Sequence, residues 1–146
     1  MAFYTVTVES PLSVSNAWAK LSDVTRFAEW DPGVVAARQP EGDGPGPNAS
    51  YILTVKGFRG TIDMRYDVVH FSEPERIILL ADTGTIRSED EIVIVPADEG
   101  CLVTYNAELT LIGKFSLFSP LMGIPFKRIG DRAAAGLRNF LETRVT

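Results

Sequence analysis

The chain is poor in the residues that most metal and redox sites require. Its 146 residues include one cysteine, Cys101, and one histidine, His70. A single cysteine excludes an internal disulfide and has no partner for a cysteine-based metal site, so Cys101 is interpreted as a small structural residue. Neither a glycine-rich phosphate loop nor a nucleophile elbow occurs in the sequence. We therefore expect no metal and no cofactor.

Basic charge and long apolar runs are also scarce. The 14 Lys and Arg are outnumbered by 19 Asp and Glu, which gives a formal net charge of -5. The basic residues are scattered, so nucleic acids and anionic membranes are not expected partners. No secretory signal pattern and no membrane-spanning run is found, so the expected location is cytoplasmic. The length suits one sizeable core, in a single domain spanning residues 1–146.

Short segments rich in β-branched and aromatic residues dominate the chain and predict strands. The links between most of them are too short for parallel crossovers, so the strands are predicted to be antiparallel neighbours. The loop at residues 40–48, with its prolines and glycines, is too short for a domain linker. The predicted strands are Phe3–Glu9, Val34–Arg38, Tyr51–Lys56, Thr61–Phe71, Arg76–Asp82, Thr85–Val95 and Leu102–Ile112.

Helical spacing of apolar residues occurs twice early in the chain and once at its end. A short helix capped by Ser13 or Ser15 is predicted to reach Leu21, and Asp23 is predicted to cap a second one. The long helix is predicted over Ser119–Thr143, with Ser119 as its N-cap and Pro120 at its first position. Because its early proline and glycines disfavour helix, we expect an irregular first turn and a solid helix from about Phe126.

Alternation along each strand predicts which side chains face the long helix. Residues 86, 88, 90, 92 and 94 are favoured as the inner set in Thr85–Val95, which turns Asp90 inward, although the opposite set competes with them. The acidic Asp63, Asp67, Glu89 and Glu91 are interpreted as a solvated outer face paired with Arg65 or Arg87. In Thr61–Phe71 the predicted inner set is Ile62, Met64, Tyr66, Val68 and His70.

Several sequence motifs together resemble a known family. They are the junction Val8–Trp18, the segment from Asp23 through Trp30-Asp31-Pro32, Pro74–Ile77, the turn from Pro96 to Thr104, and Ala133–Glu142. With the order of elements, they resemble the helix-grip fold, and more narrowly the polyketide cyclase/dehydrase and lipid transport proteins of the START/Bet v 1-like superfamily. The resemblance implies an α+β fold. Its curved antiparallel sheet has about seven strands, with two short helices after the first strand and a long C-terminal helix that encloses a cavity.

Such a cavity would have apolar walls with a few polar groups, which suits a hydrophobic small molecule such as a lipid, quinone or polyketide-like compound. Trp30 is expected near its mouth, whereas Trp18 is interpreted as a core residue. The residues predicted to bind the ligand are Trp30, Tyr51, Leu53, Met64, Tyr66, Val68, His70, Asp90, Tyr105, Phe126 and Ile129.

Two functions remain open at this point. The favoured one is a non-catalytic carrier, sensor or chaperone, with the two short helices and residues 113–123 forming a portal. The apolar side chains of residues 113–123 could contact a membrane or a protein partner transiently. The alternative is a polyketide cyclase/dehydratase-type enzyme that uses the same cavity. Its candidate acid–base groups are His70, Asp90 and Tyr66.

Overall fold

The computed structural model describes residues 2–57, 60–112 and 123–142. These residues form one curved, seven-stranded antiparallel sheet in the order β1-β7-β6-β5-β4-β3-β2, with two short helices after the first strand and one long helix at the end. The elements are β1 (Ala2–Ser10), α1 (Val14–Leu21), a 3₁₀ helix (Val24–Glu29), β2 (Val34–Arg38), β3 (Ser50–Gly57), β4 (Gly60–Ser72), β5 (Arg76–Asp82), β6 (Ile86–Ala97), β7 (Gly100–Leu111) and α2 (Gly123–Glu142).

The sheet is a meander except for β1, which pairs with β7. The β6–β7 turn meets the end of β1 at Gly100, whose φ of 120° favours glycine. A Cβ at this position would lie 2.0 Å from the carbonyl oxygen of Ser10. Gly100 therefore allows the turn to pack directly against the start of the connection to α1.

Local side-chain caps begin both short helices. The hydroxyl of Ser13, not that of Ser15, accepts a hydrogen bond from the backbone N–H of Asn16 at 3.1 Å. A carboxylate oxygen of Asp23 accepts from the backbone N–H of Thr25 at 3.2 Å. Each cap satisfies a backbone donor that the first turn of the helix leaves free.

Helix α2 packs close to its neighbours at two glycines. A Cβ at Gly136 would lie 1.8 Å from the carbonyl oxygen of Trp30, and one at Gly130 would lie 2.4 Å from the Tyr4 ring. The glycines that weaken the helical prediction are thus contact points. The predicted N-cap at Ser119 and residues 113–122 of the predicted portal lie outside the described residues.

The C-terminal end of α2 is held by two side chains. The Lys20 ammonium donates to the carbonyl oxygen of Phe140 at 2.7 Å and lies 4.7 Å from the centre of the Phe140 ring. The hydroxyl of Ser10 donates to the carbonyl oxygen of Leu141 at 3.0 Å. These bonds fix the last turn of α2 to the end of β1 and to the last turn of α1. No helix within the described residues has the length and apolarity needed to cross a bilayer.

The alternation favoured for β6 is confirmed, because Asp90 is buried on the inner face together with Ser88 and Ile92. The prediction for β4 holds from Ile62 to Val68 and is wrong at His70. Ile62 shares the inner face with Met64, although it is exposed at the end of the strand. A register shift between Val68 and His70 adds one residue to β4 relative to β5. This bulge turns His70 to the outer face, because one extra residue reverses the facing of those that follow.

Candidate functional site

A pocket of about 230 Å³ lies between α2 and the inner face of the sheet. Its wall combines apolar side chains from the strands with Phe27 of the 3₁₀ helix and Ile129 of α2. Ile129 is 49% exposed, so the pocket opens to solvent beside it. The apolar wall residues are Phe27, Val34, Leu53, Val55, Met64, Ala107, Leu109 and Ile129.

Polar groups form the floor of the pocket on β4, β6 and β7. In the strand register, Tyr66 lies opposite Ala81, and Ala81 lies opposite Ser88. The small Ala81 side chain lets the Tyr66 phenol reach across β5 and donate to Ser88 Oγ at 3.0 Å. Two residues further along β6, on the same face, Asp90 lies opposite Ala107 and interacts with the Tyr105 phenol. We define Tyr66, Ser88, Asp90 and Tyr105 as the polar floor.

Asp90 is the most perturbed acid of the floor. Asp90 is 9% exposed, and the pKa of its carboxyl is raised to about 7, chiefly by burial. The charge of Asp31 contributes to this increase, and the hydrogen bond from Tyr105 opposes it. Burial, followed by the charge of Asp90, raises the pKa values of both Tyr66 and Tyr105. Near neutral pH the floor therefore contains two neutral phenols and an acid able to take up or release a proton.

Asp31 supplies a second carboxyl group to the pocket from the loop after the 3₁₀ helix. Its Oδ1 atom accepts a hydrogen bond from the backbone N–H of Gly33 at 2.8 Å, and burial raises its pKa. In the sequence, Asp31 stands out only as part of the Trp30-Asp31-Pro32 motif. The motif does not reveal an effect on Asp90, because that effect depends on residues distant in sequence.

Two cations line the opening of the pocket. Lys56 ends β3 beside Gly33, whose carbonyl oxygen accepts from the Lys56 backbone N–H at 2.9 Å. Arg132 follows Ile129 by one helical turn on α2. Both residues are exposed, and neither forms an ion pair with another residue in the described part of the chain. The opening is thus cationic, whereas the floor carries the acids.

Six of the predicted ligand-binding residues line this pocket. One cluster of residues that the prediction missed comes from the loop after the 3₁₀ helix, which contributes Asp31, Pro32, Gly33 and Val34. Ser88 was named in the inner set of β6 but not as a site residue. The six predicted residues that line the pocket are Leu53, Met64, Tyr66, Asp90, Tyr105 and Ile129.

The remaining predicted residues lie elsewhere or outside the described atoms. Tyr51 and Val68 are buried in the core away from the pocket lining. The expectation that Trp30 lies near the mouth is wrong. It is 2% exposed, and its ring packs between Phe27 and Tyr105 while α2 covers its carbonyl group at Gly136. The Phe126 side chain lies outside the described residues.

His70 does not reach the pocket. It is exposed on the outer face, where its charge acts on the Glu91 carboxylate. Since it is the only histidine of the chain, imidazole catalysis inside the pocket is excluded. Asp90 is left as the titratable group at the floor whose pKa lies close to neutral pH.

The other acidic residues considered from sequence lie on the outer face of the sheet. Asp63 accepts a hydrogen bond from Thr54, Asp67 accepts from Ser50 and Arg65, and Glu91 pairs with Arg76 at 2.5 Å. Within the described residues, no group of three or more His, Cys, Asp or Glu side chains could hold a metal ion. These acids form a solvated outer face and are not part of the pocket.

Comparison with known proteins places this architecture in context. A structure titled as a START superfamily protein from Mycobacterium smegmatis superposes with a TM-score of 0.77 at 16% identity, over 97% of each chain. The di-domain ARO/CYC StfQ from the steffimycin biosynthetic pathway gives a TM-score of 0.69 at 12% identity, over 96% of this chain and 50% of that one. At these identities the likeness shows the fold.

Sequence comparison adds a relative and a family to this likeness of fold. Toxin Rv0910 from Mycobacterium tuberculosis strain H37Rv is 26% identical over 144 residues, which cover 97% of this chain and 96% of the relative. The family model described as polyketide cyclase / dehydrase and lipid transport matches residues 1–142. The resemblance found in the sequence motifs is confirmed, and this chain belongs to the polyketide cyclase/dehydrase and lipid transport family.

Proposed function

We propose that the protein binds a hydrophobic small molecule in the pocket beneath α2 and acts as its carrier, sensor or chaperone. The observation that carries this proposal is an apolar pocket with polar groups gathered at its floor. Such a site binds the body of a ligand by burial and orients it through a few hydrogen bonds. The family description, which includes lipid transport, agrees with this role.

The size of the pocket sets the scale of the ligand. A cavity of ~150 Å³ accepts benzene, so about 230 Å³ suits a skeleton of two fused rings or a chain of similar volume. Burying roughly 300 Å² of apolar ligand surface at about 25 cal/mol per Å² contributes about 7 kcal/mol before ordering costs. Micromolar affinity therefore requires no covalent or metal chemistry.

Native mass spectrometry of freshly purified protein, followed by extraction of bound molecules, tests this function directly. We expect an apolar metabolite at one molecule per chain. Ala107→Phe, which places a ring in the pocket, should lose this molecule and weaken binding of an added naphthalene probe. Thr110→Phe on the outer face of the same strand is the matched control and should retain both. Equal binding by the two variants would place the ligand elsewhere.

A second candidate function is catalysis of cyclisation or dehydration of a polyketide-like substrate. It is favoured by Asp90, whose pKa of about 7 suits general acid–base work inside an apolar pocket. Asp90→Asn should then abolish conversion of a linear poly-β-ketone while the protein still binds the product. Equal conversion by the wild type and this variant would contradict an acid–base role for Asp90.

The relationship to a mycobacterial protein named as a toxin calls for one further measurement. If this chain shares an effect on growth and exerts it through its ligand, induced expression of the wild type should slow growth and Ala107→Phe should not. If the wild type and Ala107→Phe slowed growth equally, growth inhibition would not depend on ligand binding in the pocket.

A further inference from the structure

The hydroxyl hydrogens of the floor phenols are directed to groups of the protein itself. Tyr66 donates its hydrogen to Ser88 Oγ at 3.0 Å. Tyr105 interacts with the Asp90 carboxyl, which raises the pKa of the phenol and, when ionised, attracts its hydrogen. A phenol carries one hydrogen and can donate only one such bond. Towards a ligand, therefore, Tyr66 offers oxygen lone pairs, and Tyr105 does so when its hydrogen is turned to an ionised Asp90.

The rest of the floor is also rich in acceptors. Asp31 accepts from Gly33 through Oδ1, which leaves its second carboxylate oxygen for another donor. Asp90 accepts from Tyr105 and has further lone pairs when it is ionised. When Asp90 is ionised, Ser88 is the residue of the polar floor whose hydroxyl hydrogen remains available to a ligand, because Ser88 accepts from Tyr66. A ligand that brings a donor matches this surface, whereas a ligand that brings only an acceptor does not.

We infer that the pocket selects ligands that present a hydroxyl group, as a phenol, enol or alcohol, to the Asp90 end of the floor. The same skeleton with a ketone or a carboxylate at that position is disfavoured. A hydroxyl donates to a carboxylate and still accepts the Ser88 hydrogen, so it satisfies both sides of the floor. A ketone has no hydrogen to donate, so its oxygen would face the acceptor oxygens of Asp90 and Asp31 without a hydrogen bond. A carboxylate would in addition be repelled by their charge. The cationic opening at Lys56 and Arg132 instead suits any acidic group on the outer end of the ligand.

This inference rests on the proposed binding function and can be tested separately from it. The probes are 2-tetralol, called the naphthol below, and 2-tetralone, called the ketone. They share one two-ring skeleton and are titrated by calorimetry at about pH 8, where Asp90 is ionised. Wild-type protein should bind the naphthol about tenfold or more tightly than the ketone, because the ketone leaves buried acceptors unpaired. Equal affinities would overturn the inference but leave the binding function intact. Failure of both probes to bind would overturn both.

Two variants identify the group responsible. Asp90→Asn introduces an amide donor of the same shape and should reduce the preference for naphthol by about tenfold. Glu89→Gln makes the same charge change at the neighbouring outer-face position and should leave the preference unchanged. A preference that survives in Asp90→Asn would overturn the inference.

Tyr66→Phe provides an independent variant should Asp90→Asn not fold, as judged by its thermal unfolding. Because the Tyr66 hydrogen is bound to Ser88, its removal should not weaken ketone binding. A tenfold or larger loss of ketone affinity in Tyr66→Phe would show that the phenol donates to ligands, and this too would overturn the inference.

Discussion

The Tyr66 phenol on β4 is bonded to Ser88 on β6 across an intervening strand, at 3.0 Å. Ala81 of β5 lies between them in the strand register, and its small side chain leaves the space through which the phenol passes. The choice of alanine on β5 therefore shapes the floor of the pocket, although Ala81 does not itself line it.

Replacing Ala81 by leucine should break the bond between Tyr66 and Ser88 and displace the phenol. Overpacking of a filled core costs about 1–3 kcal/mol, which urea unfolding would measure as a lower free energy of unfolding. Ala97→Leu, at the exposed end of β6, is the matched control and should change stability little. If Ala81→Leu were as stable as this control, the structure would have room for a larger side chain at position 81, and this explanation would be wrong.

Asp90 should make the protein less stable as the pH rises from about 4 to about 7. Its pKa is about 7 in the folded state, against an ordinary value of 3.8, so between these values the folded state binds more protons than the unfolded state. The folded state therefore loses stability with increasing pH over this window, by at most about 4 kcal/mol at 1.36 kcal/mol per pH unit. Other titratable groups also change the free energy of unfolding with pH. The effect of Asp90 is therefore obtained by comparing the wild type with Asp90→Asn.

Urea unfolding of wild type and Asp90→Asn at several pH values isolates this contribution. The asparagine variant cannot ionise, so its stability relative to the wild type should increase steadily from about pH 4 to about pH 7. Asp98→Asn, in the exposed turn after β6, serves as the control. Parallel curves for wild type and Asp90→Asn would mean that Asp90 has an ordinary pKa in the folded protein.

The strand pattern could be predicted from the sequence because one face of the sheet is buried and the other is exposed to solvent. This is why Asp90, a charged residue in an apolar series, could be assigned to the inner face. The reversal at His70 could not be predicted, because one bulged residue leaves no mark in the local alternation. The roles of Asp31 and Trp30 were also hidden. Each depends on a contact with a distant element, Asp31 with Asp90 of β6 and Trp30 with Gly136 of α2.

Gly136→Ala should destabilise the protein even though alanine favours helix. The added Cβ would lie 1.8 Å from the Trp30 carbonyl oxygen, a rigid backbone atom, so α2 must move away from the 3₁₀ helix. The gain in helix propensity is about 1 kcal/mol, and we expect the clash to exceed it and give a net loss of about 1–3 kcal/mol. Thermal unfolding beside Gly46→Ala, where nothing lies within 4 Å, is the measurement. Equal melting temperatures would contradict the close approach of α2.

Lys20 should contribute to stability through the last turn of α2. Its ammonium group donates to the Phe140 carbonyl oxygen at 2.7 Å, where the negative end of the helix dipole favours a cation. Lys20→Met keeps most of the aliphatic stem but leaves this carbonyl without its donor, so we expect a loss of about 1–3 kcal/mol in the free energy of unfolding. Lys127→Met, at an exposed position on the same helix, is the matched control and should be nearly neutral. Hydrogen exchange of the backbone amides near residue 140 should also become faster in Lys20→Met alone, because the loss acts on the anchored end of α2. Unchanged exchange together with unchanged stability would show that Ser10 is sufficient to hold this end of the helix.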